Sequence, residues 1–417
     1  MQNSNLYPLK YSDLTECGGC GSNSLFETYN FGKVPIAGHF PLRMEEALPT
    51  LPMSLMFCEY CSLVQISPNV DDHHLFSDYR YISSISMKGH FEELASWFHS
   101  REYPEKTAKI LEIGCNDGPL LECLTKLGYS PTGIDPASNI VAMARKAGLK
   151  VINDFFSETT IQSYQDLREL DYIFSANSFA HISDIRSIAK AVAESLSDKG
   201  KFIVEVQSLV ELVKTNAFDF VYHEHKYYYT IKSISNLMLQ VGLHLEHCEM
   251  IDTHGGSYRF VFSKDVIQQS SELAALISAE EEMNLNSDAI HEAVGRYVLT
   301  LGNFDSYFED KVIEGKKIVA FGASGRANML LTHLPRIRNG LPFVIDESPE
   351  RIGRYMAQNS LPIRAFSSID THEFDVVLIL AWNFSKSIID KWPEKVKIEF
   401  GVPLPVFEVI NYSEDSL

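Results

Sequence analysis

The stretch Lys109-Ile110-Leu111-Glu112-Ile113-Gly114-Cys115-Asn116-Asp117-Gly118-Pro119 decides the fold of this chain. Residues 109–113 read as a short apolar strand, Gly114 and Gly118 bracket a turn, and an amphipathic helix begins near Pro119. Strand, glycine turn and helix in that order open a doubly wound α/β unit. The glycines let the backbone come close to a ligand, and the helix-terminal N–H groups face it. The alternation continues through strands at 131–135, 151–154, 171–175 and 201–205, with a helix through Met143 and Ala144 after the second. Strands separated by helices imply a parallel sheet.

Working outward, a helical pattern precedes this unit, with Phe91, Leu94, Ala95 and Phe98 on one face. Residues 271–315 carry helical periodicity and many acids and read as a connector. A second α/β unit opens at Lys317-Ile318-Val319-Ala320-Phe321-Gly322-Ala323-Ser324-Gly325-Arg326, with later strands at 343–346 and 375–380. The expected organisation is α/β throughout. It comprises a small N-terminal zinc-binding module (1–75), a central Rossmann-like domain (76–270), the helical connector (271–315) and a C-terminal Rossmann-like domain (316–417). A chain of 417 residues fits two or three cores better than one.

Composition narrows the function. A net charge of −19 argues against nucleic-acid binding, which needs clustered Lys and Arg. An anionic substrate must then be held by local donors. No run approaches the roughly 18 apolar residues of a membrane span, and the start lacks a secretory signal. A cytoplasmic protein is expected.

Four of seven cysteines form two pairs, Cys17-x-x-Cys20 and Cys58-x-x-Cys61. Four thiolates make the closed tetrahedral shell of a structural zinc, one per chain. A redox pair and unbound thiols are the weaker alternatives. Cys115, Cys123 and Cys248 read as core or loop residues.

In the central domain, Glu112, Gly114, Asn116 and Gly118 form a candidate cofactor loop. Asp135, at the end of the next strand, is placed to accept from ribose hydroxyls. Asp154 and Phe155, after the third strand, suit an adenine amino group and ring. The dinucleotide signature Gly-x-Gly-x-x-Gly is absent, which favours S-adenosylmethionine (SAM) over NAD. A plain Rossmann turn remains the bland reading.

Tyr222-His223-Glu224-His225, followed by Tyr227, Tyr228 and Tyr229, concentrates proton-transfer groups. His223-x-His225 also has the spacing of a metal pair, although no third ligand is evident. Asn177 and His181 follow the fourth strand and either serve the site or merely cap and pack. The later tyrosines read mainly as packing.

Taken together, these motifs resemble the SAM-dependent sugar C-methyltransferases that act on nucleotide-linked 4-keto-deoxysugars. Those enzymes join a zinc-binding module, a class I methyltransferase domain and a C-terminal Rossmann-like domain. The resemblance covers essentially the whole chain. It rests on the paired cysteines, Phe76-x-x-Tyr79-x-Tyr81-x-Ser83-Ser84, the Glu112 loop, Asn177-x-x-x-His181 and Tyr222-His223-Glu224-His225. It continues through His254-Gly255-Gly256-Ser257-x-Arg259, Gly322-Ala323-Ser324-Gly325-Arg326-Ala327-Asn328 and Ala381-Trp382-Asn383.

The resemblance implies His225 as the base, supported by Tyr222, Glu224, His181 and Asn177. It puts Tyr81 and Ser84 with the cofactor and Tyr79 with a nucleotide-sugar substrate. Ser257 and Arg259 would grip a diphosphate. Gly322, Ser324, Arg326 and Asn328 would form a second anion-friendly loop, with Asp346, Ser348 and Arg351 as nucleotide contacts and Trp382 and Asn383 lining a crevice. The second glycine loop taken alone fits a Rossmann relic equally well. Two rival functions stand beside this one: O- or N-methylation of a related metabolite, and non-catalytic nucleotide-sugar binding.

Overall fold

The computed structural model describes residues 10–43, 50–76, 82–102, 104–253, 255–357, 361–393 and 398–412. The chain opens with strands β1 (Tyr11–Ser12), β2 (Leu25–Pro35), β3 (Thr50–Cys58), β4 (Val64–Ser67) and β5 (Asn69–Val70). Helices α1 (Asp72–Phe76), α2 (Ser83–Ser86) and α3 (Lys88–Glu102) follow, and α3 buries Phe91, Leu94, Ala95 and Phe98 on the expected face.

The alternating region then runs β6 (Ile110–Ile113), α4 (Pro119–Lys126), β7 (Thr132–Asp135), α5 (Ser138–Lys146), β8 (Val151–Asn153), α6 (Glu158–Ser163), β9 (Leu170–Ala176), α7 (Ile185–Ser195) and β10 (Leu196–Gln207). It is completed by α8 (Leu209–Lys214), β11 (Tyr227–Tyr228), α9 (Ile231–Leu239), β12 (His244–Ile251) and β13 (Ser257–Ser263). Two helices follow, α10 (Ser271–Glu282) and α11 (Ser287–Ile313). The last part is β14 (Ile318–Phe321), α12 (Gly325–Thr332), α13 (Pro335–Gly340), β15 (Val344–Asp346), β16 (Ile363–Ala365), β17 (Val376–Ile379), α14 (Ser385–Ile389), β18 (Ile398–Val402) and β19 (Glu408–Tyr412). Among the described residues, no helix is long and apolar enough to cross a membrane.

These elements form two compact units. The first comprises the residues up to Glu27, Met56–Glu211 and His225–Ser287. The second comprises Thr28–Leu55, Leu212–Glu224 and Asp288–Leu417. The N-terminal 75 residues are divided between the two units. The expected connector is divided too: α10 belongs to the first unit and nearly all of α11 to the second.

In the first unit a seven-stranded sheet has the order β12-β13-β10-β9-β6-β7-β8. All neighbours from β10 to β8 are parallel, whereas β13 is antiparallel to both β10 and β12. The chain winds outward from β6 to β8, then returns to place β9 on the other side of β6. That reversal leaves a crevice at the carboxyl ends of β6 and β9, where open α/β sheets bind ligands. One apolar core under this sheet joins β6, β9 and β10 to α7, α9, Tyr227, Tyr229, Cys17, Cys58 and Cys61.

In the second unit a six-stranded sheet has the order β16-β15-β14-β17-β18-β19, parallel except for the last pair. Its helix α12 meets residues from both early segments of the unit. Asn328 Nδ2 donates to Ala37 O at 2.8 Å. Arg326 Nε donates to Asp219 Oδ2 at 2.9 Å, and its guanidinium lies between the rings of Phe220 and Trp382, 3.7 and 4.8 Å from their centroids. Asp219 is fully buried and also accepts from Trp382 Nε1. Removing one member of such a pair leaves a desolvated charge behind. Asp219→Ala should therefore lower the stability of the protein by about 3 kcal/mol, read as a denaturation shift, and Asp219→Asn should cost less.

Candidate active site and metal centre

The two Cys-x-x-Cys turns meet in the first unit. All four sulfurs lie within 4.8 Å of one another, with Cys17–Cys61 and Cys20–Cys58 both at 3.6 Å. Four thiolates about 2.3 Å from a zinc ion would stand about 3.8 Å apart, so the cage fits that ion. Gly19 N–H also donates to Cys17 Sγ. The hydrogen bond with Cys61 pulls the Cys17 thiol down to about 5, while burial raises Cys20 to about 11. Gly18, inside the first turn, lies against Tyr227, where a Cβ would come within 2.4 Å of the phenol oxygen. Tyr227 and Tyr228 in turn pair with Gln65 and Val64 of β4. The cysteine cage and the residues just after His225 thus share one small sheet and one core.

At the crevice, Gly114 has φ 71° and would place a Cβ 2.5 Å from that of Ser178. Glycine is required here for conformation and for space. Ser178 Oγ donates to Ile113 O at 2.6 Å, fastening the end of β6 to the turn after β9. Gly118 (φ 86°) is the N-cap of α4. Asn116 N–H donates to Asp135 Oδ2, and Asn116 Oδ1 accepts from the Ser83 and Asp117 amides. Ser84 N–H donates to Asp117 Oδ1. The expected cofactor residues from Ser84 to Asp135 are therefore brought together. Asp154 is exposed and accepts from the Phe155 amide, and the Phe155 ring meets His73 edge-on at 4.7 Å. Tyr79 and Tyr81 lie outside the described residues.

Two buried polar atoms at these strand ends lack a partner among the described residues: Glu112 Oε2 and Asn177 Nδ2. One is an acceptor and the other a donor. Such atoms are costly unless a ligand completes them. Burial, reinforced by Asp135, Glu205 and Asp117, pushes the Glu112 carboxyl well above the usual range. Burial also raises Asp135, against the two amides it accepts from. The crevice thus suits a ligand with a cationic amine and hydroxyl groups, as SAM has.

Asn177 takes a left-handed conformation (φ 58°) and hangs its amide on Glu205 O. A short helical turn over Phe179–His181 then presents His181 to His225, with ring centroids 4.7 Å apart and edge-on. Phe76 packs edge-on against His181 at 5.7 Å. Both histidines are half-buried. Tyr222, His223 and Glu224 belong to the second unit, where His223 Nε2 faces Pro52 O at 3.2 Å and Glu224 Oε1 accepts from the Gly38 amide at 2.8 Å. His223 is fully buried in a turn, and no His223–His225 metal cluster occurs among the described residues.

The two arginines expected to hold phosphate are engaged elsewhere. Arg259 is buried inside a carboxylate cage: Nε donates to Glu205 Oε1 at 2.7 Å, and the terminal nitrogens donate to Glu93 and Glu249. His90 meets the other Glu205 oxygen at 2.7 Å. A diphosphate grip by Arg259 is therefore corrected to a structural ion network, and Ser257 beside it donates to Thr253 O. Arg326 is likewise paired with Asp219. In the second glycine loop, Gly322 donates its amide to Ile345 O, Ser324 caps the Ala327 amide, and Asn328 bridges Ala37 and Ala357. Asp346 accepts from the Ala323 and Ser348 amides and pairs with Arg351 at 3.3 Å. Trp382 is tied to Asp219, while Asn383 is exposed.

Lys226, which is not among the expected site residues, is bonded to Asn69, Val70, Asp72 and Ser183 beside the histidine turns. Its signal is faint: a lone lysine between the His-Glu-His triplet and three tyrosines.

Two outcomes follow from this geometry. Metal analysis should find about one zinc per chain, falling to near zero in Cys58→Ala. For Glu112 the folded pKa is raised, so the folded apo protein holds a proton that the unfolded chain gives up. Its contribution therefore destabilises the apo fold as pH rises from the unfolded value of about 4.5 towards the raised folded one. Glu112→Gln should accordingly stabilise the apo protein within and above that window. The same change should weaken SAM about tenfold or more, given about 1.5–3 kcal/mol for a charged hydrogen bond. Calorimetry in buffers of different ionisation enthalpy should show proton release on SAM binding in the wild type and none in Glu112→Gln.

Three domain families match the chain in the order expected: a zinc binding domain at residues 17–76, a methyltransferase domain at 87–248 and a C-methyltransferase C-terminal domain at 252–405. The C-methyltransferase NovU of Streptomyces niveus is 28% identical over 413 residues, covering 95% of this chain and 97% of that protein. A ubiquinone biosynthesis O-methyltransferase of Xanthomonas oryzae pv. oryzae is 30% identical over 102 residues, which cover 23% of this chain and 42% of that enzyme. The crystal structure of PH0226 protein from Pyrococcus horikoshii OT3 aligns with a TM-score of 0.36 at 18% identity, over 46% of this chain and 98% of that one. With zinc-binding, methyltransferase and C-terminal domains matched in series, the chain is a SAM-dependent methyltransferase.

Proposed function

We propose that the protein methylates a carbon next to the ketone of a dTDP-linked 4-keto-deoxysugar. The observation that carries this reading is the His181–His225 pair, in the unit that also holds the Glu112 crevice. Carbon methylation needs a base for an acidic α-proton, whereas the cofactor crevice alone would serve any methyl acceptor. A neutral imidazole, with an ordinary pKa of about 6.5, is suited to accept that proton near neutrality.

In this reading His225 removes the α-proton, and the electron pair of the broken C–H bond passes into an enolate. His181, edge-on to His225, donates to the developing enolate oxygen or holds the base in one tautomer. Asn177 offers its buried amide at the same strand ends. Bound SAM supplies a methyl group on a sulfonium, an electrophile for that carbon. Glu112 takes its amino end and Asp135 its ribose hydroxyls. Tyr222 and Glu224, three residues and one residue before His225, are proposed to serve the sugar, as the resemblance implies. The strand ends of the second unit, with Asp346, Ser348, Arg351 and Asn383, are proposed for the nucleotide.

The test is exchange and turnover on a panel of nucleotide-linked keto-sugars. In D2O, deuterium should enter the α-carbon, and mass analysis should find one methyl gained on carbon. His225→Ala should lower turnover roughly 10²–10⁴-fold and remove the exchange. Full turnover in His225→Ala would assign the base elsewhere, and methyl gain on oxygen or nitrogen without exchange would replace this reaction with heteroatom methylation.

A further inference from the structure

The residue that follows His225 carries a charge that the reaction itself does not use. Lys226 is 3% exposed, and a bare ammonium at that depth costs several kcal/mol. Its Nζ donates to Asn69 Oδ1 and Val70 O, both at 2.7 Å, and to Asp72 Oδ1 and Ser183 Oγ. Asp72 in turn accepts from Ser183 Oγ at 2.6 Å and from the Ser183 amide at 3.1 Å. The Lys226 backbone is fixed as well: its N–H donates to Ala180 O at 2.8 Å, and its carbonyl accepts from Ile66 N–H.

The placement of these bonds is specific. Ala180 and Ser183 lie on either side of His181, and Lys226 adjoins His225. Asp72 begins the helix whose Phe76 packs against the His181 ring. One buried cation therefore ties together the two turns that carry the histidines and the helix that covers one of them. If packing were the only need, an apolar side chain of similar volume would fill the space without the desolvation penalty. What an ammonium adds is direction, because its donors hold several separate acceptors in one arrangement.

We propose that Lys226, through Asp72 and Ser183, is the positioning residue that sets His225 against His181. This rests on the reading of His225 as base. It adds that the base is presented by a polar clamp made with residues 69–72, of which Asn69 and Val70 pair with β1. Lys226 touches no reacting atom, so it positions rather than catalyses.

The experiment uses the full-length, zinc-loaded protein with ¹³C/¹⁵N-labelled histidine. Two readouts are taken: the cross-peak between the His181 and His225 rings, and steady-state kinetics. Lys226→Met should lose the cross-peak and lower kcat roughly 10²-fold, the order expected when a reacting group is misplaced by about 1 Å. Both KM values and SAM affinity should stay within about threefold of wild type. Lys226→Arg, which keeps the charge, should recover part of kcat and the cross-peak. If Lys226→Met does not fold, Ser183→Ala and Asp72→Asn weaken the same clamp and should each lower kcat about tenfold with the cross-peak broadened. A retained cross-peak and unchanged kcat in the folded variants would overturn the proposal, as would a change confined to KM. If the wild type methylates no keto-sugar, the proposed reaction fails, while the cross-peak still decides the role of Lys226.

Discussion

The approach of Gly114 to Ser178 is the constraint on which the site depends. A parallel sheet that reverses its winding must open where the reversal occurs, and here β6 and β9 are drawn together at that point by Ser178 Oγ and Ile113 O. Any side chain at position 114 would force the two turns apart. Because they are held, Glu112 on one strand and Asn177 after the other lie at a common edge with their last hydrogen bonds unmade.

Buried charge is used in two distinct ways in this protein. Arg259, Arg326 and Lys226 each sit among carboxylates or carbonyls and join segments far apart in sequence. These groups are paired within the protein and hold it in shape. Glu112 is the opposite case, a carboxylate surrounded by other carboxylates and pushed towards its neutral form. A cation arriving there relieves repulsion as well as gaining a hydrogen bond, so selectivity for a positively charged ligand is built into an acidic interior. The zinc cage follows the same logic, since thiols crowded within 4.8 Å are best reconciled by a metal ion.

Much of this was legible in the sequence, for local reasons. The strand and helix alternation, the buried face of α3, the glycine loop and the paired cysteines all depend on neighbours a few residues away. The assignments that changed depend on distant partners. Arg259 looks like an anion binder until Glu205, 54 residues earlier, is folded beside it. Arg326 looks the same until Asp219, 107 residues earlier, is folded beside it. Lys226 gives no local sign of its role because its acceptor Asp72 is 154 residues away. Periodicity also cannot reveal that residues 28–55 and 212–224 group with the C-terminal residues in one compact unit.

That interleaving bears on how such a protein is inherited. The second unit is spelled out in three separated pieces of the gene, and its helix α12 leans on the first two through Ala37 and Asp219. A recombination event that exchanged only the last hundred codons would import an Arg326 and an Asn328 whose partners stayed behind in the recipient. New specificities in this lineage should therefore arise by substitution along the whole chain rather than by swapping its C-terminal third.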